Sequence, residues 1–413
     1  MSMEKNVPEI RFNGFSGEWE EKALGSDVAD IIGGGTPSTS ISEFWGGDID
    51  WYSPTEIGDN VYAEGSQKKI TALGLKSSSA KILPAGNTIL FTSRAGIGDM
   101  AILARPGATN QGFQSFVVKE GYSPYFLYSA GNQIKDFALN HASGSTFLEI
   151  SGKQLGRMKI LIPCEKEQTA IGNTFQILDN LINQHQQKHD KLSNIKKAML
   201  EKMFPKQGET IPEIRFKGFS GEWEEVSLSD FGVATSGTSI ESEFTKDGKY
   251  KVISIGSYSE NSVYTEQGIR ASLSPKTESR VLNKNDLTMI LNDKTLAGNI
   301  IGRVLLVEED DSYVYNQRTQ RIEPSSEYNP QFLYQFLNAP SVRKRIFKAS
   351  QGNTQIYVNW SAISKLKYFI PKKDEQIVIG NYFQKLDVLI KHHQQQITKL
   401  NNIKQACLSK MFV

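Results

Sequence analysis

The sequence has only two cysteines and no long apolar run. Cys164 and Cys407 offer neither a disulfide framework nor the spacing of a metal site, which fits a reducing compartment. No stretch approaches the roughly eighteen apolar residues that a membrane-spanning helix needs. No apolar segment follows the amino-terminal residues as it would in a signal peptide. We therefore expect a cytoplasmic protein that makes no contact with a membrane.

Excess charge of one sign is also absent. The formal net charge is +2, so any contacts with phosphate must come from local basic patches rather than from a global positive field. The chain has 413 residues, of which 38% are hydrophobic, and this is enough for two domains with cores of their own.

Motifs of common catalytic sites are missing as well. An amino-methyltransferase needs an Asp/Asn-Pro-Pro-aromatic loop to hold its target amine, and the nearest text, Asn329-Pro330-Gln331-Phe332, lacks the second proline. No G-x-G-x-x-G follows a clear strand and no G-x-x-x-x-G-K-[ST] occurs, so no nucleotide cofactor is indicated. We expect this chain to carry no catalytic residue and to bind no cofactor, with an enzyme of an unrecognised kind as the alternative.

The sequence does contain a duplication. Pro8–Glu21 reads PEIRFNGFSGEWEE, and Pro212–Glu225, 204 residues later, reads PEIRFKGFSGEWEE. A second pair of blocks, Glu167–Phe204 and Glu375–Phe412, matches at 24 of 38 positions with an offset of 208 residues. The middles between these blocks hardly resemble each other. One frame with two divergent middles predicts two different recognition surfaces on one scaffold, since duplicated active sites would be expected to keep their middles alike. Drift of the middles without consequence is the alternative.

The closing blocks have the pattern of long helices. Apolar residues recur every seven positions in two neighbouring rows, which is typical of a coiled-coil seam, and each stripe is narrow enough to need a partner. His185 and His189 lie four residues apart, but the second copy has Ile397 at the position of His189, which favours packing over a metal site. We therefore expect the two helices to pair in antiparallel fashion. The residues expected at this seam are Leu178, Ile182, Leu192, Leu386, Ile390 and Leu400.

These patterns predict an α+β (mixed α/β) protein with an internal pseudo-twofold repeat, in which two globular domains alternate with the two long helices. The expected segments are a first repeat segment at 1–21, a first globular domain at 22–162, a first long helix at 163–204, a linker with the second repeat segment at 205–225, a second globular domain at 226–370 and a second long helix at 371–413.

Taken together, the chain resembles the specificity subunits of type I restriction-modification systems. The features that carry the resemblance are the twin PEIRF-GFSGEW segments, the twin E-Q-x-x-I-G-N-x-F-Q-x-L-D blocks, and stretches of the middles such as GGGTPSTSISEFWGGDIDWYSP and YNQRTQRI. The resemblance implies that each middle is a target-recognition domain that reads one half of a bipartite site in double-stranded DNA.

The resemblance also implies partners. The helices would set the spacer between the half-sites and dock two methyltransferase subunits, which would bind S-adenosylmethionine and methylate adenine at N6. Restriction/translocase subunits that use ATP and Mg²⁺ would join them. Alternatives are an orphan DNA-binding chain without partners and a tandem protein-binding scaffold that recognises no DNA, which the salt dependence of binding would distinguish.

The candidate DNA-contacting residues are polar or basic. Arginine can pair with guanine and amides with adenine in the major groove, and a small polar loop admits a phosphate. Capping of turns and a solvated helix face are the competing interpretations. In the first half the candidates are Ser93, Arg94, Asn110, Gln111, Gln114, Gly144, Ser145 and Thr146. In the second half they are Asn292, Lys294, Asn316, Gln317, Arg318, Arg343, Lys344, Arg345, Gly352, Asn353 and Thr354.

Overall fold

A computed structural model describes residues 6–58, 60–94, 96–144, 148–294, 296–353 and 355–413. The chain divides into two units. Unit 1 comprises Met1–Gln186 and Gln395–Val413, and unit 2 comprises Gln187–Gln394. Unit 1 is therefore assembled from both ends of the sequence, whereas unit 2 is continuous.

Unit 1 consists of short strands and small helices before the first long helix. Its strands are β1 (Glu20–Ala23), β2 (Ala29–Gly33), β3 (Trp45–Tyr52), β4 (Tyr62–Ala63), β5 (Lys68–Ile70), β6 (Thr88–Phe91), β7 (Met100–Leu103), β8 (Gly107–Thr109), β9 (Gln114–Val118) and β10 (Lys159–Ile162). The helices are α1 (Ala72–Lys76), α2 (Pro124–Ser129), α3 (Gly131–His141), α4 (Gly152–Leu155) and α5 (Glu165–Lys202), the last of which continues into unit 2.

The described strands of unit 1 form three sheets. The largest has the order β2-β9-β6-β7-β4, a second has the order β5-β3-β8, and β1 pairs with β10. Strands β6 and β7 are buried along their whole length, which explains their uninterrupted apolar text. Phe91 and Phe116 from the largest sheet pack with Phe126 of α2 and Ile134 of α3 in the main core.

Unit 2 follows the same plan. Its strands are β11 (Glu224–Ser227), β12 (Gly232–Ser236), β13 (Tyr250–Ile253), β14 (Arg270–Ala271), β15 (Leu287–Ile290), β16 (Asn292–Asp293), β17 (Val304–Leu306), β18 (Tyr313–Tyr315), β19 (Thr319–Pro324), β20 (Ile356–Tyr357) and β21 (Lys367–Ile370). The helices are α6 (Pro275–Glu278), α7 (Pro330–Asn338), α8 (Pro340–Lys348), α9 (Trp360–Ile363) and α10 (Lys373–Lys410), the last of which continues into unit 1.

Among the described residues, unit 2 has sheets that correspond to the three of unit 1, with four strands instead of five in the largest, and it has the additional pair β16-β20. The orders are β12-β19-β15-β17, β14-β13-β18, β16-β20 and β11-β21. The β11–β21 pair corresponds to β1–β10, since each joins the end of a repeat segment to the strand before a long helix. The expected boundaries after residues 21 and 225 follow the end of the sequence identity, and each falls inside a strand of such a pair.

The two long helices pair in antiparallel fashion within each unit. In unit 1, Lys404 of α10 donates to Asp179 of α5 at 2.5 Å, and the rings of Phe175 and Phe412 lie 5.9 Å apart, so that earlier residues of α5 meet later residues of α10. In unit 2, Lys196 of α5 donates to Asp387 of α10 at 2.5 Å, and the rings of Phe204 and Phe383 lie 6.0 Å apart. Each helix has 38 residues. The mixed α/β class, the internal repeat and the antiparallel helix pairing are thus confirmed.

The expected seam residues all lie on the less exposed side of the helices. Leu386 is buried. Leu178 packs against the main core of unit 1 and Leu192 against that of unit 2. Ile182, Ile390 and Leu400 are half-buried.

The repeated PEIRF segments anchor the first turn of each long helix. Arg11 donates from Nε and Nη2 to Glu167 at 2.7 Å in both bonds, and Arg215 makes the same two bonds to Glu375. The two glutamates are 1% and 2% exposed, so each carboxylate depends on its arginine for compensation of its charge. This contact explains why arginine and glutamate occur in both copies of the frame.

Candidate nucleic-acid interface

A polar turn between β8 and β9 lies at the centre of the candidate site in unit 1. The backbone N–H of Asn110 donates to the carbonyl of Tyr52 at 3.0 Å, and the Asn110 Oδ1 accepts from the N–H of Gly112 at 2.7 Å. The side chain of Asn110 therefore stabilises its own turn, as the competing interpretation proposed. Gln111 beside it is exposed, and the hydroxyl of Thr36 donates to its Oε1.

Three further segments converge on this turn. Ser93 N donates to Gly112 O at 2.8 Å, and Ile150 N donates to Ser93 O at 3.0 Å. The glycine-rich loop after β2 joins them, because Gly35 N donates to Thr109 O at 2.8 Å. We call the exposed and half-exposed side of these segments the unit 1 face. It comprises Gly34, Thr36, Arg94, Gln111, Gly144 and Glu149.

Two candidates in unit 1 are turned inward. Ser93 is completely buried, which removes it from any contact with a duplex. The amide of Gln114 is packed between Gly33 and Gly152, at whose positions an added Cβ would lie 3.6 Å and 2.7 Å from it. Arg94 is half-buried and forms a backbone bridge with Glu149.

Unit 2 repeats three of the backbone hydrogen bonds of this arrangement. Leu291 N donates to Arg318 O at 2.9 Å, Val358 N donates to Leu291 O at 2.9 Å, and Asn316 N donates to Ile253 O at 3.0 Å, as Asn110 N does to Tyr52 O. The loop after β12 is attached after the turn, where Gly237 N donates to Thr319 O at 2.8 Å, whereas Gly35 N donates to Thr109 O before the turn. We call the corresponding exposed surface the unit 2 face. It comprises Gly237, Thr238, Lys294, Gln317, Arg318, Gly352, Asn353 and Tyr357.

Two candidate asparagines of unit 2, Asn316 and Asn292, are held inside the fold. Asn316 Oδ1 accepts from Ile240 N at 3.1 Å and Asn316 is 6% exposed. Asn292 is 7% exposed and pairs with Tyr357 in the β16–β20 ladder. Gln317 is exposed and its amide donates to Glu241 at 3.2 Å, so it lies on the surface in an oriented position.

Helix α8 carries a cluster of basic residues that differ in exposure, and its members are Arg343, Lys344, Arg345 and Lys348. Arg343 donates to the carbonyls of Asn299 and Ile301, and burial together with the nearby guanidinium of Arg303 lowers the pKa of Arg343 to about 10. Arg345 lies 4.3 Å from the ring of Tyr368 and donates to Lys367 O. Lys344 is exposed, as is Lys348. These two lysines are therefore the members of the cluster that are available to a phosphate.

Each face includes one glycine of a short loop, Gly144 in unit 1 and Gly352 in unit 2. Gly144 and Gly352 are exposed with φ of +147° and +108°, and backbone bridges close each loop between Ser143 and Glu149 or between Gln351 and Tyr357. Asn353 is exposed. Ser145, Thr146 and Thr354 lie outside the described residues.

Sequence reasoning missed six members of the faces, which are Gly34, Thr36, Glu149, Gly237, Thr238 and Tyr357. Of these, Glu149 and Tyr357 are separated by the offset of 208 that relates the long helices. That offset, extended 18 residues upstream of the closing blocks at Glu167 and Glu375, pairs Glu149 with Tyr357.

Neither unit presents a metal site among the described residues, where no group of three or more His, Cys, Asp or Glu side chains is arranged to bind an ion. Across the same residues, no helix combines the length and the apolar character needed to cross a membrane.

The two units share a topology, and the polar side chains on their faces differ. These features define a tandem recognition protein.

The chain belongs to the family described as the type I restriction modification DNA specificity domain, whose family model matches residues 16–194 and 220–402. Over 191 residues it is 34% identical to the type I restriction enzyme MjaIX specificity subunit of Methanocaldococcus jannaschii, a match that covers 45% of this chain and 44% of that protein. Over 418 residues it is 22% identical to the MjaVIII specificity subunit of the same organism, covering 98% of this chain and 95% of that subunit.

The fold is similar to a crystal structure of the type I restriction-modification S subunit from M. genitalium. The TM-score is 0.63 at 16% identity, over 98% of this chain and 99% of the other. The family resemblance expected from the sequence is confirmed.

Proposed function

We propose that the chain is the non-catalytic specificity subunit of a type I restriction-modification enzyme and that each unit reads one half of a bipartite DNA site. The observation that carries this proposal is the pair of faces. Three equivalent backbone hydrogen bonds support both faces, while the exposed side chains on them differ. A common frame with different side chains suits one ligand class with two sequences.

The chemistry of the faces fits the major groove of a duplex. Gln111 and Gln317 present amides, and Arg94 and Arg318 present guanidinium groups, which are side chains that pair with base edges. Lys294, Lys344 and Lys348 are exposed and supply local positive charge for the phosphates. Such local charge is required because the net charge of the whole chain is only +2.

The long helices present apolar surface that suits partner subunits. Leu181 on α5 and Leu389 on α10 are 37% and 45% exposed, and they are equivalent in the repeat. Ile177 and Val388 beside them are 59% and 62% exposed. Exposed leucines at equivalent positions support the docking of two methyltransferase subunits, one on each copy.

Catalysis then belongs to those partners, which would bind S-adenosylmethionine, and to restriction/translocase subunits that use ATP and Mg²⁺. The assembly would act on DNA in the cytoplasm. We propose that the antiparallel pair of long helices sets the distance between the two half-sites. Each helix has 38 residues and is about 57 Å long, enough to bridge more than one turn of DNA.

The test is methylation mapping with and without a methyltransferase partner. The purified chain alone should transfer no methyl group from S-adenosylmethionine, and addition of the methyltransferase should methylate adenine at one bipartite site. Methyl transfer by the chain alone would overturn the proposal. Binding that does not weaken with added salt would instead favour a protein-binding scaffold, since DNA binding releases counterions.

A further inference from the structure

The equivalent hydrogen bonds match the residues of the two faces one to one. The bond from Ser93 N to Gly112 O corresponds to the bond from Leu291 N to Arg318 O. The bond from Ile150 N to Ser93 O corresponds to that from Val358 N to Leu291 O. Gly112 therefore matches Arg318, and Arg94, which follows Ser93, matches Asn292.

Each unit has one arginine at these two matched positions, but at a different one of the two. Unit 1 has an arginine three residues after β6 and a glycine in the adjacent turn. Unit 2 has an asparagine after β15 and an arginine in the adjacent turn. Asn292 is 7% exposed and Arg318 is exposed. The exposed guanidinium of unit 2 therefore belongs to the turn and not to the segment that follows the strand.

In unit 1 the two positions lie next to each other. A Cβ added to Gly112 would lie 3.5 Å from Nε of Arg94, 3.0 Å from Oδ1 of Asn110 and 2.8 Å from Cγ of Pro54. A side chain at position 112 would push against Pro54 and Asn110 but would begin in ordinary van der Waals contact with Nε of Arg94, so a side chain at this position and Arg94 reach the same part of the face. In unit 2 the arginine is in the turn instead, at position 318.

Arg318 occupies its position at a conformational cost. Its φ is +68°, in the left-handed region that disfavours residues with a Cβ. Glycine would adopt this conformation without strain. A strained arginine on an exposed turn indicates that its side chain is needed there.

We propose that each unit places one guanidinium at the same point of its face, from Arg94 in unit 1 and from Arg318 in unit 2, and that each contacts a guanine in its half-site. The inference rests on the proposed function, in which the two faces read DNA. A guanine edge offers two acceptors to a guanidinium. Glu149, which is bridged to Arg94 through the backbone and is exposed, would repel a phosphate but can accept from the amino group of cytosine. The neighbouring carboxylate therefore favours a base over the DNA backbone.

The experiment selects preferred sequences from duplexes with a randomised segment, using the full chain and its Arg94→Ala and Arg318→Ala variants. Each variant should lose the preference for guanine, by roughly 10- to 100-fold, at one position of one half-site and leave the other half-site unchanged. Arg105→Ala and Lys284→Ala are matched controls, because these exposed residues lie at the opposite ends of the same sheets, after β7 and before β15. Both controls should retain the parental motif.

Arg318→Gly separates recognition from folding. It removes the strained residue, so the chain should unfold at the same temperature or a higher one while still losing the guanine preference. Equal weakening on all sequences with an unchanged motif would mean that the arginines contact phosphate, and it would overturn the inference. An unchanged motif at full affinity would overturn it as well. A wild-type chain that selects no sequence would overturn the proposed function itself.

Discussion

The hydrogen bonds of individual side chains show which of them support the repeated scaffold and which are available on the two faces. Arg215 belongs to the frame, because both its bonds to Glu375 are 2.7 Å long and the carboxylate is 2% exposed. Asn110 lies at the face, yet its amide is used inside its own turn. The residue type alone does not distinguish these uses.

We expect Arg215→Ala to lower the free energy of unfolding of unit 2 by on the order of 3 kcal/mol, because it leaves a buried carboxylate without its partner. Arg215→Lys should recover only part of the loss, since lysine cannot make the paired bonds. Urea denaturation measures both. Lys206→Ala is the control, because the pair of Lys206 and Glu213 is exposed. Equal stabilities of Arg215→Ala and the control would contradict the role of this contact.

Prediction from the sequence was therefore weakest for single residues. Arg343 lies in a run of basic residues that suggests a phosphate-binding surface, but two of its bonds are made to backbone carbonyls that come from another part of the chain. Ser93 follows an apolar strand and is itself buried. Such partners are distant in sequence, so a local pattern does not contain them.

At the scale of elements, sequence reasoning was strongest for the long helices. Their seven-residue pattern runs over five turns or more, and Pro163 and Pro371 mark where the helices start. The observed helices, Glu165–Lys202 and Lys373–Lys410, therefore lie close to the expected ranges. Two-residue strands such as Asn292–Asp293 and Ile356–Tyr357 were not predicted, because they have no periodicity and depend on pairing with each other.

The helices should set the distance between the half-sites. Four residues inserted after Gln186, and four after the equivalent Gln394, add about 6 Å and little more than one helical turn, which nearly preserves the seam. We expect the spacer to lengthen by about one or two base pairs at about 3.4 Å each, with both half-sites unchanged. Methylation mapping on DNA with spacers of every length measures this.

A matched insertion in the exposed segment at Gln207–Gly208 is the control and should leave the spacer unchanged. Full activity of the helix insertion variant on the parental spacer would show that another element sets the distance.

At the scale of the molecule, the two units should be exchangeable separately. Leu24 N donates to Met158 O at 2.9 Å, so the ends of segment 25–157 lie side by side. Replacing this segment with that of a relative should change one half of the methylated sequence, and replacing 229–365, closed by the equivalent bond from Leu228 to Leu366, should change the other half. Either replacement altering both halves would contradict independent recognition.

The aromatic core of unit 1 includes a residue from the far end of the sequence. The ring of Phe412 lies 5.3 Å from that of Phe126 and 6.2 Å from that of Trp19. We expect Phe412→Ala to destabilise unit 1 by about 3 kcal/mol, whereas Phe204→Ala at the equivalent position should destabilise unit 2. Limited proteolysis of each variant, with the released fragments identified by mass, shows which unit opens. Loss of unit 2 in Phe412→Ala would contradict this assignment.

This arrangement has a consequence on the ribosome. Unit 2 is continuous, whereas unit 1 is complete only when Gln395–Val413 has been made. At about 5–20 residues per second, synthesis of the intervening segment takes roughly 10 to 40 s. During that interval the partial core of unit 1 is exposed to chaperones and proteases. The half of the protein that is translated first is therefore the last to be completed.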